Sequence, residues 1–402
     1  MHYWTKYPDQ DQLPSDVPDL NENNLPLTNG HLHTPYSFSA FSTTEQSVQL
    51  ASKEGLKVAG INDFNTVKGY ADWAKACDRY GIIPLFNIEM IGLNTEDQIN
   101  DIKVNDPSNP GRTYISGKGL STAQLPGEVS RWLNDAIEKN NKQSEAMTKL
   151  LNKHLEKNQA PFSLNYEEIF QKLTMGQVRE RHLARALRIK AEGAFNDRKT
   201  LKSFFEQITG KNFASLDAAS VENTLRGALL KSGGPAFIPE DPNSFASLDT
   251  IRDLILKAKG VPTYPFLGDA LNGACTGFEE NLESTIRKLK ERGFFSTEFI
   301  TTRNSMDYLE QTAQRLWENG FLVTLGTEHN TPAMEPMVPT AKGNTAITGK
   351  LQLINVMSLC ILIAHQYLTG KTGEGWLNPE TGNPKLQEKE YFIKTGWTLL
   401  NL

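Results

Sequence analysis

Short apolar segments alternate with amphipathic helical ones along most of this chain, and that alternation limits its fold more than any other feature. Residues 43–54 have helical periodicity and stop at Gly55, a residue suited to the left-handed cap of a helix. Residues 57–61 read as a short strand. Residues 66–79 are helical again, with Val67, Tyr70, Trp73, Ala74 and Cys77 on one face. Gly81 ends that helix, and residues 82–91 read as a buried strand carrying Glu89. Further strands are predicted over 112–116, 261–266, 297–301 and 321–326. Repeated strand–helix units of this kind predict an α/β fold with parallel strands. Several of the strands end in polar residues, as a site at one end of a barrel or sheet requires.

Between residues 124 and 253 the strand signals vanish. Val129, Trp132, Leu133 and Ile137 form one helical stripe, and Met147, Leu150 and Leu151 form another. Asn165 with Glu168 reads as a helix start, and Thr174 with Gln177 as a second capping box whose helix stops at Gly193. The expected organisation is a polar extension over 1–26, an α/β barrel over 27–123 and 254–402, and an all-helical insertion over 124–253. Residues 370–385, rich in Gly, Pro, Thr and Asn, read as a surface loop. A net charge of −5 supplies no basic field, so general nucleic-acid binding is not expected. Residues 1–19 lack the apolar core of a signal peptide, and the longest apolar run, 357–364, is too short for a bilayer, so no membrane partner is expected. Cys77, Cys275 and Cys360 are scattered and read as small buried hydrophobes in a reducing, cytoplasmic setting.

The chain has seven histidines, and two of them stand one residue apart in His31-Leu32-His33. On an extended backbone residues i and i+2 point the same way, so the two imidazoles form a ready pair of divalent-metal ligands. A solvated loop holding two histidines is the bland alternative. Asp63 lies just past one strand and Glu89 sits within another, where an unpaired carboxylate is costly. Arg179, His182 and Arg185 share one helix face. The arginines read equally as phosphate clamps or as solvated charges, and His182 as a site group or as a cap of the insertion. Glu328 and His329 follow an apolar strand, and His329 could point away. His365 reads as a structural partner, His154 as surface, and His2 as part of a loose terminus.

Taken in order, His31-Leu32-His33-Thr34, Asn62-Asp63-Phe64-Asn65-Thr66 with Gly69, Ile88-Glu89, Arg181-His182-Leu183-Ala184-Arg185, Tyr264-Pro265 and Gly326-Thr327-Glu328 resemble the PHP family, the polymerase and histidinol phosphatase domain. The resemblance implies a distorted (β/α)7 TIM-like barrel, divalent metals at the carboxyl ends of the strands, and hydrolysis of a small-molecule phosphoester. The helical insertion resembles that of the branch acting on small phosphorylated metabolites and nucleotides. Where the family has Thr-Asp-His this chain has Asn62-Asp63-Phe64. Where it has Ala-His-Pro the chain has Thr263-Tyr264-Pro265, and its late Asp-x-His becomes Glu328-His329-Asn330. One or two ions, zinc, manganese or iron, are therefore expected rather than three, held by His31, His33, Glu89, Glu328 and His329. Asp63, His182 and Glu328 are the catalytic candidates, with Arg179, Arg185 and Tyr264 on the substrate. A metal-dependent phosphoesterase is the reading, and a non-catalytic domain with a degenerate site is its alternative.

Overall fold

The computed structural model describes residues 3–14, 20–121, 125–239, 245–378 and 380–402. His2 and the expected start of the insertion at residue 124 lie outside them. The chain runs through β1 (Leu27–Leu32), α1 (Thr44–Lys53), β2 (Leu56–Phe64), α2 (Tyr70–Tyr80), β3 (Ile83–Leu93), α3 (Thr95–Ile99) and β4 (Arg112–Lys118). Five helices follow: α4 (Gly127–Lys157), α5 (Tyr166–Leu173), α6 (Glu180–Ala194), α7 (Arg198–Thr209) and α8 (Ala218–Leu225). Then come β5 (Ala246–Ser247), α9 (Leu248–Lys257), β6 (Val261–Phe266), α10 (Leu282–Glu291), β7 (Ser296–Ile300), α11 (Met306–Glu318) and β8 (Leu322–Gly326). The helices α12 (Gly349–Thr372) and α13 (Lys389–Leu400) close the chain.

The main sheet has the order β1-β2-β3-β4-β6-β7-β8, with the short β5 added to the end of β3. A bridge between Leu32 and Glu328 joins its two edges, so the sheet is nearly closed into a distorted TIM-like barrel. All pairings along it are parallel except those of β4, which runs antiparallel to both β3 and β6. The expectation of parallel strands throughout fails there for a geometric reason. Residues 94–111 close on themselves, Asn94 N donating to the Gly111 carbonyl at 2.8 Å, so β4 starts beside the end of β3 and returns antiparallel.

Because β4 runs backwards, it ends at the opposite end of the barrel from the site. The 31-residue α4, roughly 46 Å at helical rise, carries the chain back. Its first turns bury Val129 and Leu133 in the barrel core, while Met147, Leu151 and Leu155 belong to a separate core with α6, α7 and α8. On the return, α9 packs Leu248, Ile251, Leu254 and Ile255 on the strands. Two expected helix starts move. Tyr70, not residue 66, opens α2, with Gly69 before it. Thr174 ends α5 rather than capping the next helix, which begins at Glu180 behind Arg179. Gln177 instead donates to the carbonyls of Tyr36 and Phe64, tying the helical region to the barrel mouth.

The apolar run expected to be short is part of α12, the one helix among the described residues long and apolar enough to cross a membrane. Most of it is buried across the amino-terminal strand ends, against Val58, Leu85, Val261 and Leu322. Its few polar groups answer strand amides: Asn355 Oδ1 accepts from Leu325 N, Ser358 Oγ from Val323 N and Gln366 Oε1 from Phe86 N. Two other expectations change. Trp4 is buried against Tyr367, so the amino-terminal segment docks on α12. The predicted 370–385 loop starts only after Thr372 and is pinned by buried Trp376. His365 supports it, accepting from Trp376 N and meeting the Lys259 carbonyl. His154 is half-buried, with Nε2 2.7 Å from the Ile208 carbonyl, and is not free surface. Cys275 is half-buried where Cys77 and Cys360 are buried.

Candidate metal centre

The carboxyl end of β1 delivers His31 and His33 into the barrel mouth, and Leu32 between them packs into the outer core. Gly326 makes room for this. A Cβ there would lie 2.4 Å from His31 Cβ, a contact no side chain tolerates. Glu89 arrives on β3, whose pairing with β2 sets it beside Phe64. Among the described residues these three form the group able to share one ion, their donor atoms all within 4.8 Å of one another. His31 Nε2 stands 3.3 Å from His33 Nε2, which is itself 3.3 Å from Glu89 Oε2.

Polar groups behind the rings meet both Nδ1 atoms. Glu298 Oε2, on β7, is 3.0 Å from His31 Nδ1. Ser37 Oγ donates to Asp63 Oδ1 at 2.6 Å, so its remaining lone pairs accept from His33 Nδ1 at 3.2 Å. The contact with Ser37 suits a His33 protonated at Nδ1, and the two Nε2 atoms face each other. Glu89 Oε2 is buried with no hydrogen-bond partner. Burial lifts the Glu89 carboxyl to about 8 and lowers the His33 imidazole to about 4. Two imidazole nitrogens and a carboxyl oxygen converge on one point, and once Glu89 gives up its proton the set suits zinc, manganese or iron.

Asp63 does not touch His33. It accepts from Thr34 N at 2.8 Å and Thr34 Oγ1 at 2.5 Å, and acts on His33 through Ser37. Burial raises its carboxyl against the pull of His33 and these donors. Phe64, standing where the family has an imidazole, stacks on the His33 ring at 5.7 Å and 5°. The Arg179 guanidinium covers the other side of the pair, 3.8 Å from the Phe64 centroid. The expected helix face does reach the mouth, but its three members differ in use. His182 Nδ1 accepts from Arg179 N at 3.0 Å and its ring packs edge-on against Phe38, so it caps α6. Arg185 lies over Phe38, donates to the Ser39 carbonyl at 2.9 Å and sits 3.8 Å from Glu222.

Glu328 is near the group but not in it. Arg303 donates to its Oε2 at 2.5 Å and Asn330 at 2.6 Å. Burial would raise its carboxyl; Arg303, the two imidazoles and Arg181 hold it below the usual range. Glu328 and His329 both have left-handed backbones, φ 68° and 56°. That double turn folds Glu328 back onto β1 and sends His329 outward. The His329 ring meets Thr327 Oγ1 at 2.8 Å and the Glu335 carbonyl at 2.9 Å, stacked on Phe41, so neither nitrogen faces the donors. Tyr264 is also displaced. Pairing of Pro265 with Glu298 turns Pro265 inward and Tyr264 outward, where its hydroxyl donates to Glu279 at 2.7 Å.

Sequence reasoning missed Glu298, Lys118, Asn62, Ser37 and Arg303. Glu298 carried the same signal as Glu89, an acid inside an apolar strand. Lys118 and Asn62 carried none, because a polar residue at a strand end is ordinary.

Residues 29–202 match the family model for the PHP domain. A search of curated protein sequences finds no match. The fold is similar to that of a protein of Bifidobacterium adolescentis described as a metal-dependent phosphoesterase, at 16% identity and TM-score 0.53, covering 81% of this chain and 94% of that one. It is also similar to an amidohydrolase of Chromobacterium violaceum determined with sulfate and no metal, at 17% identity and TM-score 0.54, covering 80% and 93%.

Proposed function

We propose, from the premise that this chain carries a PHP domain, that it is a hydrolase of small phosphoesters working through a divalent metal held by His31, His33 and Glu89. One observation carries the reading. Two imidazole Nε2 atoms and a buried carboxyl oxygen with no hydrogen-bond partner stand together, within reach of one ion. A divalent cation could take all three at once, displacing the proton that burial keeps on Glu89. Held there, a divalent ion supplies Lewis acidity and a bound water of lowered pKa.

The chain's own residues divide the remaining work. Ser37 and Asp63 orient His33. Phe64 shields one face of His33 from water. Arg179, stacked on Phe64, offers its guanidinium fork to phosphoryl oxygens beside the donors. Glu328 is assigned to the rim, where Arg303 keeps it ionised. His182 and Arg185 hold α6 over the mouth and thereby hold Arg179, while His329 and Tyr264 serve packing.

The test is metal analysis of the purified chain, followed by a phosphoester screen on wild type and His33→Ala. The expected result is one or two ions per chain, hydrolysis in wild type, and loss of both metal and activity in the variant. Arg179→Ala should keep the metal and raise KM. Absence of metal after reconstitution with zinc, manganese or iron, or activity surviving His33→Ala, refutes the reading.

A further inference from the structure

Beneath the donor group lies a buried ion pair that the proposed chemistry does not use directly. Lys118, at the end of β4, and Glu298, in the middle of β7, are both 1% exposed. Lys118 Nζ is 2.5 Å from Glu298 Oε2. It also donates to the Gly30 carbonyl at 3.1 Å and reaches Asn62 Oδ1 at 3.5 Å, so its three protons have three acceptors. Glu298 Oε1 accepts from Ser116 Oγ, and Oε2 also faces His31 Nδ1 at 3.0 Å. The other face of His31 is closed by Asn62 Nδ2, at 3.1 and 3.2 Å from the two ring nitrogens, which favours neither as acceptor. The neighbouring backbone is built around this arrangement. A Cβ at Gly60 would lie 2.5 Å from the carbonyl oxygen of Gly30 that receives Lys118.

An ion pair sealed in a barrel is a poor source of stability, because desolvation offsets most of the attraction. Every contact of this one is spent inside the barrel except one, and that one leads through His31 to the donor group. The other histidine is held differently. Between His33 and Asp63 stands the rotatable hydroxyl of Ser37, whereas Glu298 meets His31 directly.

We propose that Lys118 and Glu298 are a positioning pair: the ammonium fixes the carboxylate, and the carboxylate fixes His31 as its Nδ1–H form, committing Nε2 to the metal. This rests on the metal reading above for its purpose. The tautomer itself is a property of the metal-free protein and is tested without activity.

The experiment uses the full chain, labelled with 15N at histidine and stripped of metal by a chelator. Proton–nitrogen correlation spectra report which ring nitrogen carries the proton, with the His31 signals identified by their loss in His31→Gln. His31 should be protonated at Nδ1 and bare at Nε2. Protonation at Nε2 overturns the proposal from wild type alone, whether or not any variant folds. In Lys118→Met and Glu298→Gln, verified as folded by circular dichroism, the His31 pattern should shift toward Nε2–H. Zinc affinity, read by competition with a chromophoric chelator, should fall roughly 10- to 100-fold. Folded variants that keep both the wild-type spectrum and zinc affinity make the pair purely structural and refute it. A wild type that binds no zinc but holds His31 as Nδ1–H removes the metal reading and leaves the tautomer assignment standing.

Discussion

Replacing Glu89 by Gln should stabilise the metal-free protein and destabilise the metal-loaded one. Burial raises the Glu89 carboxyl from 4.5 to about 8, so the fold holds a proton that the unfolded chain has released. Stability is therefore greatest below 4.5 and is lost as the pH climbs toward 8. Each tenfold change in proton affinity is worth roughly 1.4 kcal/mol. At pH 7 the cost to the metal-free fold is about 3 kcal/mol, and at pH 8 about 4 kcal/mol. Glutamine has nearly the same shape, carries no charge to bury, and its amide can donate to His33 Nε2. In urea unfolding with a chelator present, Glu89→Gln should exceed wild type by about 2–3 kcal/mol at pH 7, with the gap closing near pH 4. Burial pushes His33 down to about 4, so in wild type it stays neutral across the pH range compared. With saturating zinc the order should invert, because a ligand that binds only the native state stabilises it by mass action and the amide is the poorer ligand. A metal-free variant less stable than wild type at pH 8 would refute the burial argument. Equal zinc stabilisation of the two would remove Glu89 from the ligand set.

Two further changes probe the barrel mouth. Gly326→Ala forces a methyl against His31 Cβ, so zinc affinity should fall at least tenfold while the strands remain; unchanged affinity in a folded variant contradicts the close approach. Phe64→His adds an imidazole against His33 and should raise metal stoichiometry or affinity, whereas Tyr264→His faces Glu279 and should leave metal content unchanged. Metal analysis of the two variants side by side decides, and a gain from Tyr264→His would overturn the outward placement of that residue.

The sequence alone determined the barrel's repeating units and the heart of its candidate centre. Apolar strands bounded by helix caps are local signals, and β6 fell on residues 261–266 as expected. The His31 and His33 pair was legible because strand alternation is a local rule, and Glu89 because a lone acid in an apolar strand demands a partner. Tertiary structure decided the rest. The reversal of β4 depends on residues 94–111 closing back on the end of β3, and it is what places Lys118 under His31. Tyr264 and His329 stood at positions the family motif marks, yet a strand register turned one outward and a pair of left-handed residues turned the other away. Helical spacing put Arg179, His182 and Arg185 on one face, but only contacts with Phe64 and Phe38 separated the arginine beside the donors from the residues that anchor it. Glu298 and Lys118 are 180 residues apart in the chain, and no local pattern couples them; they meet because a nearly closed barrel brings β4 and β7 within one side chain of the same imidazole.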